Sequence, residues 1–364
     1  MAISPERALS SNHMAGLAAA LRTQYGIEAT AIEPTERGKD FFASVYRVWV
    51  GEPTPRYIVK VRPADAARDT AVTVARYLAD AGIPSVVAPI RTLGGAVSVV
   101  STASSLTVYP FIEGAHGIEV GLSADAWRAI GASARRLHAT VLPPVLAALV
   151  PRESYRPAEI ETIAGVDEAV AELARPDAAA RRVRDQWRDH RQEIRTLARR
   201  TEALGDALRR RSLPLVVCHA DMHTGNVIVD PTGRPWIIDW DDVVLAPKER
   251  DLMFVVGGGI SAALVDDDAT ARFLEGYGET DIDEAALSYY RHAWAVQDIG
   301  SYAGRVILDP SASPGQRDDA ARILVGLFAP GEIVDLAARS LRPQAPPHRT
   351  TGDGPSRDPP GALE

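Results

Sequence analysis

Two stretches of this chain hold residue types suited to phosphate chemistry. The first is Cys218-His219-Ala220-Asp221-Met222-His223-Thr224-Gly225-Asn226, entered from the apolar pair Val216-Val217. The second is Ile237-Ile238-Asp239-Trp240-Asp241-Asp242. Asn226 comes five positions after Asp221, and Asp239 thirteen after Asn226. A carboxylate at Asp221 can orient an acceptor hydroxyl and take its proton. The amide oxygen of Asn226 and the carboxylate of Asp239 are hard donors of the kind that hold Mg2+ on phosphates. Such a metal and a lysine would offset nucleotide charge while the acceptor is held in line.

Lysine is scarce. Of 40 basic residues only Lys39, Lys60 and Lys248 are lysines. A lysine in such a background suits a place that needs a compact ammonium, where a planar guanidinium fork does not fit. In Tyr57-Ile58-Val59-Lys60-Val61-Arg62, strand alternation puts Lys60 on one face with Ile58 and Arg62.

The elements that must position these groups can be read from pattern. Strands are expected over 30–34, 44–50, 56–62, 85–90, 96–101 and 106–109, about five of them forming one sheet. Helices are expected over 14–25 and 64–81. After Pro110-Phe111-Ile112-Glu113-Gly114 the pattern turns helical: 124–138 behind an N-cap at Ser123, then about 176–211, 267–277, 283–308 and 316–340. Two short strands, 227–229 and 236–239, flank the turn Asp230-Pro231-Thr232-Gly233.

A chain of 364 residues, 46% hydrophobic and 24% charged, has length for two lobes with a real core. The single cysteine, Cys218, excludes an internal disulfide framework and suits core filling. A net charge of −8 argues against nucleic acid as the main partner. No apolar run is long enough for a membrane span, and Met1–Ser11 lacks a signal core, so a cytoplasmic protein is expected. Residues 1–13 read as a flexible leader and 342–364 as a disordered tail.

The pattern resembles the aminoglycoside phosphotransferase family, which has a protein-kinase-like fold. His219-x-Asp221-x-x-x-x-Asn226 matches its catalytic loop, Ile238-Asp239 its metal-binding aspartate and Lys60 its phosphate-binding lysine. Tyr109-Pro110-Phe111-Ile112-Glu113-Gly114 looks like the hinge whose backbone reads adenine. The run from Ala246 to Phe254, with Val45-Tyr46-Arg47-Val48 and Gly117-Ile118-Glu119-Val120, looks most like the family's spectinomycin-phosphorylating members. The likeness runs from about residue 14 to 340.

The resemblance implies an α+β fold of two lobes. A small five-stranded N-lobe (14–109) and a hinge (110–114) precede a mostly helical C-lobe (115–341). It implies ATP or GTP with Mg2+, and an antibiotic acceptor, spectinomycin or a related aminocyclitol first. Choline, homoserine, methylthioribose or a non-aminoglycoside antibiotic are the rival acceptors, and a non-catalytic nucleotide-binding pseudokinase is the rival without chemistry. A monomer or homodimer is expected, with no nucleic acid or membrane as partner. Asp221 is then the catalytic residue, and Asn226 and Asp239 hold the metal. Lys60, Tyr109, Phe111 and Ile112 meet the nucleotide, joined by Lys39 and Ser44 around a covering loop and by Asp69 as partner of Lys60.

Other residues keep two readings. His219 and Asp251 brace the loop. His223 is either structural or near phosphate. Asp241 either touches metal or substrate or belongs to a solvated turn. Tyr290, Trp294 and Asp298 recur every four residues, so one helix face offers two aromatics and a carboxylate to a cationic acceptor, or packs as core. Asp266-Asp267-Asp268, Glu275, Glu279, Asp281, Asp283 and Glu284 either steer a cation towards a cleft or lie in a solvated loop. Gly257-Gly258-Gly259 lacks a following Lys-Ser/Thr and reads as close packing.

Overall fold

The computed structural model describes residues 11–35, 43–257 and 265–340. Helix α1 (Ser11–Ala20) runs on through one π-type turn, Leu21–Tyr25, to Gly26. It leads into an antiparallel sheet: β1 (Ala31–Pro34), β2 (Ser44–Trp49), β3 (Tyr57–Pro63), β4 (Val99–Val100) and β5 (Ser104–Pro110), in the order β1-β2-β3-β5-β4. Helix α2 (Ala66–Asp80) is inserted after β3, its N-terminus capped by the Asp65 carboxylate on Ala67 N–H and Arg68 N–H.

Period-2 alternation divides this sheet into a dry face and a polar one. Tyr46, Val48, Val59 and Val108 pack with Leu17 and Leu21 of the first helix. Lys60, Arg62, Ser105 and Thr107 are all buried on the opposite face, where Lys60 pairs in register with Thr107 and Arg62 with Ser105. Four polar side chains buried together on one sheet face are costly unless other groups satisfy them.

Residues 85–90 do not form a strand of this sheet. Val86 makes an isolated bridge to Ile237, and Ser85, with φ 65, accepts Ile237 N–H through its carbonyl at 2.6 Å. Pro84 and Pro89 remove the donors a ladder would need. The segment therefore ties the sheet to the chain around Ile237.

Beyond the sheet come β6 (Ala115–His116), α3 (Gly117–Val120), α4 (Ala124–His138), α5 (Pro144–Ala147), α6 (Glu159–Glu172) and α7 (Ala178–Arg209). Ser123 caps α4 on Ala126 N–H. Val183, Trp187, Ile194, Leu197 and Leu208 of α7 are buried as their spacing predicts. Next are β7 (Val216–Cys218), β8 (Val227–Val229), β9 (Pro235–Ile237), β10 (Val244–Ala246), α8 (Glu249–Leu252), α9 (Asp267–Tyr277) and α10 (Glu284–Ile307). The expected helix over 316–340 is two helices, α11 (Pro314–Gly326) and α12 (Ile333–Arg339), separated at Pro330-Gly331, where Gly331 has φ 84.

Helices α4 and α9 meet backbone to backbone. A Cβ on Gly131 would lie 2.1 Å from the Phe273 carbonyl oxygen, and one on Gly276 would lie 2.0 Å from that of Arg128. Each helix ends in a side chain that reaches the centre of the molecule, His138 on α4 and Tyr277 on α9. No described helix is long and apolar enough to cross a membrane.

Candidate active site

Strand β7 delivers the chain into a loop whose backbone is held from below. Asp251, 2% exposed on α8, accepts His219 N–H at 2.9 Å and Ala220 N–H at 2.7 Å. His138 Nε2 contacts the same carboxylate at 3.0 Å, and His138 Nδ1 meets the Tyr277 hydroxyl at 2.7 Å. Burial alone would raise the Asp251 carboxyl, but the His138 hydrogen bond and its companions hold it below the ordinary range. Ala220, at φ 69, sits in the left-handed region, which costs a non-glycine residue about 1–3 kcal/mol. The Asp251 clamp holds it there.

His219 is fully buried. Its Nδ1 accepts Asp221 N–H at 3.2 Å, which leaves Nε2 to donate to the Ile238 carbonyl at 2.9 Å. One imidazole thus ties the loop of Asp221 to the strand end before Asp239. His223 Nδ1 accepts Gly225 N–H at 2.9 Å, and its Nε2 lies 3.4 Å from Asp221 Oδ1.

Asn226 ends a 3-10 turn (Thr224–Asn226) and points back at Asp221. Its Nδ2 donates to the Asp221 carbonyl at 2.8 Å and to Asp221 Oδ2 at 2.6 Å. The Asn226 amide oxygen then has no protein partner among the described residues. Asp221 Oδ1 is buried and makes no hydrogen bond among the described residues. Burial, with Asp239 and Asp242 nearby, pushes the Asp221 carboxyl well up; Asn226 and Arg250 pull the other way.

Asp239 follows β9 at φ 62, a second left-handed non-glycine residue. Its Oδ1 accepts Lys60 Nζ at 3.0 Å across 179 residues of chain. Asp241 is buried. Its Oδ2 accepts Lys60 Nζ and its Oδ1 accepts Arg62 Nη1, each at 2.5 Å. Burial alone would raise Asp241, but Lys60 and Arg62 beside it hold it at about 2. Asp241 therefore sits behind the lysine and not on an acceptor surface.

Asp69 is placed differently from expectation. Its carboxylate accepts the Ser105 hydroxyl at 2.6 Å, while Lys60 Nζ donates to the carboxylates of Asp239 and Asp241. An aspartate is one methylene shorter than glutamate, and Ser105 satisfies it on the sheet. Ser44 opens β2 opposite Val61. Lys39 and Gly258-Gly259 lie outside the described residues. Tyr109 is in β5, its phenol pushed far up by burial. Phe111 N–H is engaged by the Arg56 carbonyl at 3.0 Å, whereas Ile112 N–H makes no bond among the described residues.

Of the three α10 residues, Tyr290 is wholly buried core, stacked edge-on against Tyr289. Trp294 is half-buried, donates through its indole to Asp298 Oδ2 at 3.1 Å, and stands edge-on to Phe254 and near His223. The wall beside Asp221 is therefore Trp294, Phe254 and His223. Arg250 is an unforeseen member. Its guanidinium lies 5.7 Å from the Tyr290 ring centre and 5.6 Å from that of Trp294. The acidic residues around α9 have local duties: Asp266 caps α9, Glu275 pairs with Arg128 and Arg272, and Asp283 caps α10 and pairs with Arg211.

Arg62 is the other site member that sequence reasoning missed. The available signal was its period-2 spacing from Lys60.

The donor set fits a hard divalent cation: one amide oxygen with no protein partner among the described residues and one carboxylate 36% exposed, with a third carboxylate, Asp221, nearby. Together the groups can hold a hydroxyl, accept its proton and balance phosphate charge.

Residues 35–293 match the profile of the phosphotransferase enzyme family. Among curated proteins, none matches the sequence. Among solved structures, a spectinomycin phosphotransferase, APH(9)-Ia, in complex with ADP and spectinomycin, aligns with a TM-score of 0.79 at 27% identity, covering 90% of this chain and 98% of that one. An ethanolamine kinase of Plasmodium vivax aligns at 0.56 with 14% identity, covering 92% and 91%. The gentamicin complex of APH(2'')-IIa aligns at 0.54 with 14% identity, covering 90% and 98%. The last two share the fold.

Proposed function

The chain belongs to the phosphotransferase enzyme family, and from that premise we propose that it moves the γ-phosphate of ATP or GTP to a hydroxyl of spectinomycin or a related aminocyclitol or aminoglycoside. Such a reaction inactivates the drug, so the consequence is antibiotic resistance, exerted in the cytoplasm. The observation that supports this acceptor is the likeness to the spectinomycin phosphotransferase, which extends over nearly the whole of both chains.

The chemistry assigned to each residue rests on its contacts. The acceptor hydroxyl is brought to the Asp221 carboxylate, between the Trp294–Phe254–His223 wall and the end of the nucleotide. As its oxygen bonds to the γ-phosphorus, its proton passes to Asp221, and the bond from phosphorus to the β–γ bridging oxygen breaks to release the nucleoside diphosphate. A carboxyl pushed up by its surroundings is a better proton acceptor than an ordinary aspartate. Asn226 donates to Asp221 Oδ2, so the base cannot rotate away. Lys60 faces the phosphates, and the hinge offers Ile112 N–H to the base. The Asn226 amide oxygen and Asp239 would hold Mg2+, which supplies charge neutralisation at the β- and γ-phosphates when bound.

The test is turnover with ATP and Mg2+ across spectinomycin, an aminoglycoside, a neutral glycosylated antibiotic and choline, with products identified by mass. Spectinomycin should be turned over with the highest kcat/KM. Turnover of choline or the neutral drug alone would leave the phosphotransferase standing and remove this acceptor. Nucleotide binding without turnover of any acceptor would favour the non-catalytic reading.

A further inference from the structure

We propose that Arg62 is a positioning residue for phosphoryl transfer: through Asp241 it holds Lys60 at the phosphates from the side of the loop after β9. The inference rests on the nucleotide-dependent function proposed for this site. Four methylenes leave a lysine ammonium many rotamers, so a phosphate-binding lysine needs a fixed acidic neighbour to be ready for its ligand. The acid on α2 nearest to that task, Asp69, bonds the Ser105 hydroxyl at 2.6 Å. The fixed acid comes instead from the other side of the cleft, in Asp241, whose side chain is 6% exposed.

A buried carboxylate shared between two cations has a specific use. When Lys60 turns part of its charge to a nucleotide, Asp241 is left in low dielectric with one fewer partner. An unpaired buried carboxylate is costly and would draw Lys60 back. Arg62 removes that penalty. Its side chain is 1% exposed, its charge is permanent, and its Nη1 holds Asp241 Oδ1 at 2.5 Å whatever Lys60 does. The guanidinium is also anchored to α2 by Nη2, which donates to the Arg68 carbonyl at 3.4 Å. β3 presents Lys60 and Arg62 on one face, so a single strand carries both the cation that meets the phosphates and the cation that neutralises the acid behind it. The contact also joins the sheet to the loop after β9, so it fixes the height of Lys60 over Asp239.

The experiment uses the full chain. Binding of ADP with Mg2+ is measured by calorimetry, and steady-state kinetics use spectinomycin, for Arg62→Gln, Arg62→Lys and the parent. Arg62→Gln should weaken ADP binding about tenfold and lower kcat about tenfold, while the acceptor KM stays within about twofold. Arg62→Lys keeps the charge and should recover most of the ADP affinity. A folded Arg62→Gln with parental ADP affinity and kcat would overturn the proposal. So would a loss of melting temperature with both KM values moving together and no rescue by lysine, the signature of packing alone. If Arg62→Gln does not fold, the near-isosteric Asp241→Asn decides: weakened ADP binding supports the proposal, and parental affinity removes it. A parent that binds no ADP would instead refute the nucleotide reading itself, so the two failures are distinct.

Discussion

Asp251 receives the Ala220 N–H at 2.7 Å and thereby holds in place a residue whose φ of 69 disfavours it. The loop carrying Asp221 is shaped by a carboxylate 31 positions beyond Ala220, not by its own hydrogen bonds alone. Asp251→Asn keeps the shape but turns one acceptor into a donor facing a backbone N–H. It should cost about 2–4 kcal/mol, read as a lower midpoint in urea. The sign with pH is fixed too. A carboxyl held below its unfolded value contributes stability above that value, about 3.9, and loses it as pH falls towards the folded one. The gap between parent and variant should therefore be full at pH 7 and close below about pH 4.

Asp221→Asn should lower kcat by about two to four orders of magnitude and leave ADP affinity nearly unchanged. Its stability should move the other way. A carboxyl pushed up by burial and by Asp239 and Asp242 favours the fold in its neutral form, and that contribution fades as pH rises through the folded pKa. The amide lacks the charge, so the variant should melt higher than the parent at pH 7, with the gain shrinking in acid. A melting temperature below the parent's would contradict this.

The metal side divides into two tests. Asn226→Ala removes one oxygen donor and also frees Asp221 Oδ2, so its activity should recover in part with added Mg2+ without reaching the parental kcat. Asp239→Ala removes the carboxylate donor and should recover little. Identical Mg2+ titrations for both variants and the parent would rule out the assignment.

Lys60→Arg preserves charge but not shape. The ammonium sits between Asp239 and Asp241, with Arg62 already on the far oxygen of Asp241. A second planar fork has no room to bond both acids, so nucleotide KM should rise or kcat fall by about tenfold or more. Parental kinetics would remove Lys60 from the phosphate-binding role.

Much of this was legible because catalytic chemistry is local. His219, Asp221 and Asn226 lie within eight positions, and their residue types restrict what they can do together. The strand carrying Lys60 showed through alternation, and α7 through its stripe. Other features had no local signal. Arg62 and Asp241 are 179 positions apart, and their bond exists only once the sheet is laid over the loop after β9. Asp69 had the right address and a shorter side chain, which Ser105 captured. Helix α6 buries only Ile163 and Val166, too few to reveal a period. Residues 85–90 looked apolar enough for a strand, but two prolines denied them a ladder. The break before α12 was written in Pro330-Gly331 and concealed by helical spacing on both sides.

The glycine contact between α4 and α9 has a consequence for how this chain tolerates change. Neither Gly131 nor Gly276 can gain a methyl group without pushing a carbonyl of the other helix aside, since the Cβ would come within about 2 Å of it. The two helices end in His138 and Tyr277, which steady Asp251 beneath the catalytic loop. An alanine at either glycine would therefore act as a remote lever: it adds no charge and touches no reacting group, yet it displaces the floor on which Asp221 rests. Genetic drift should thus find this seam as closed as the catalytic loop itself, and a survey of functional variants should recover few substitutions there, although every atom in the seam is chemically inert.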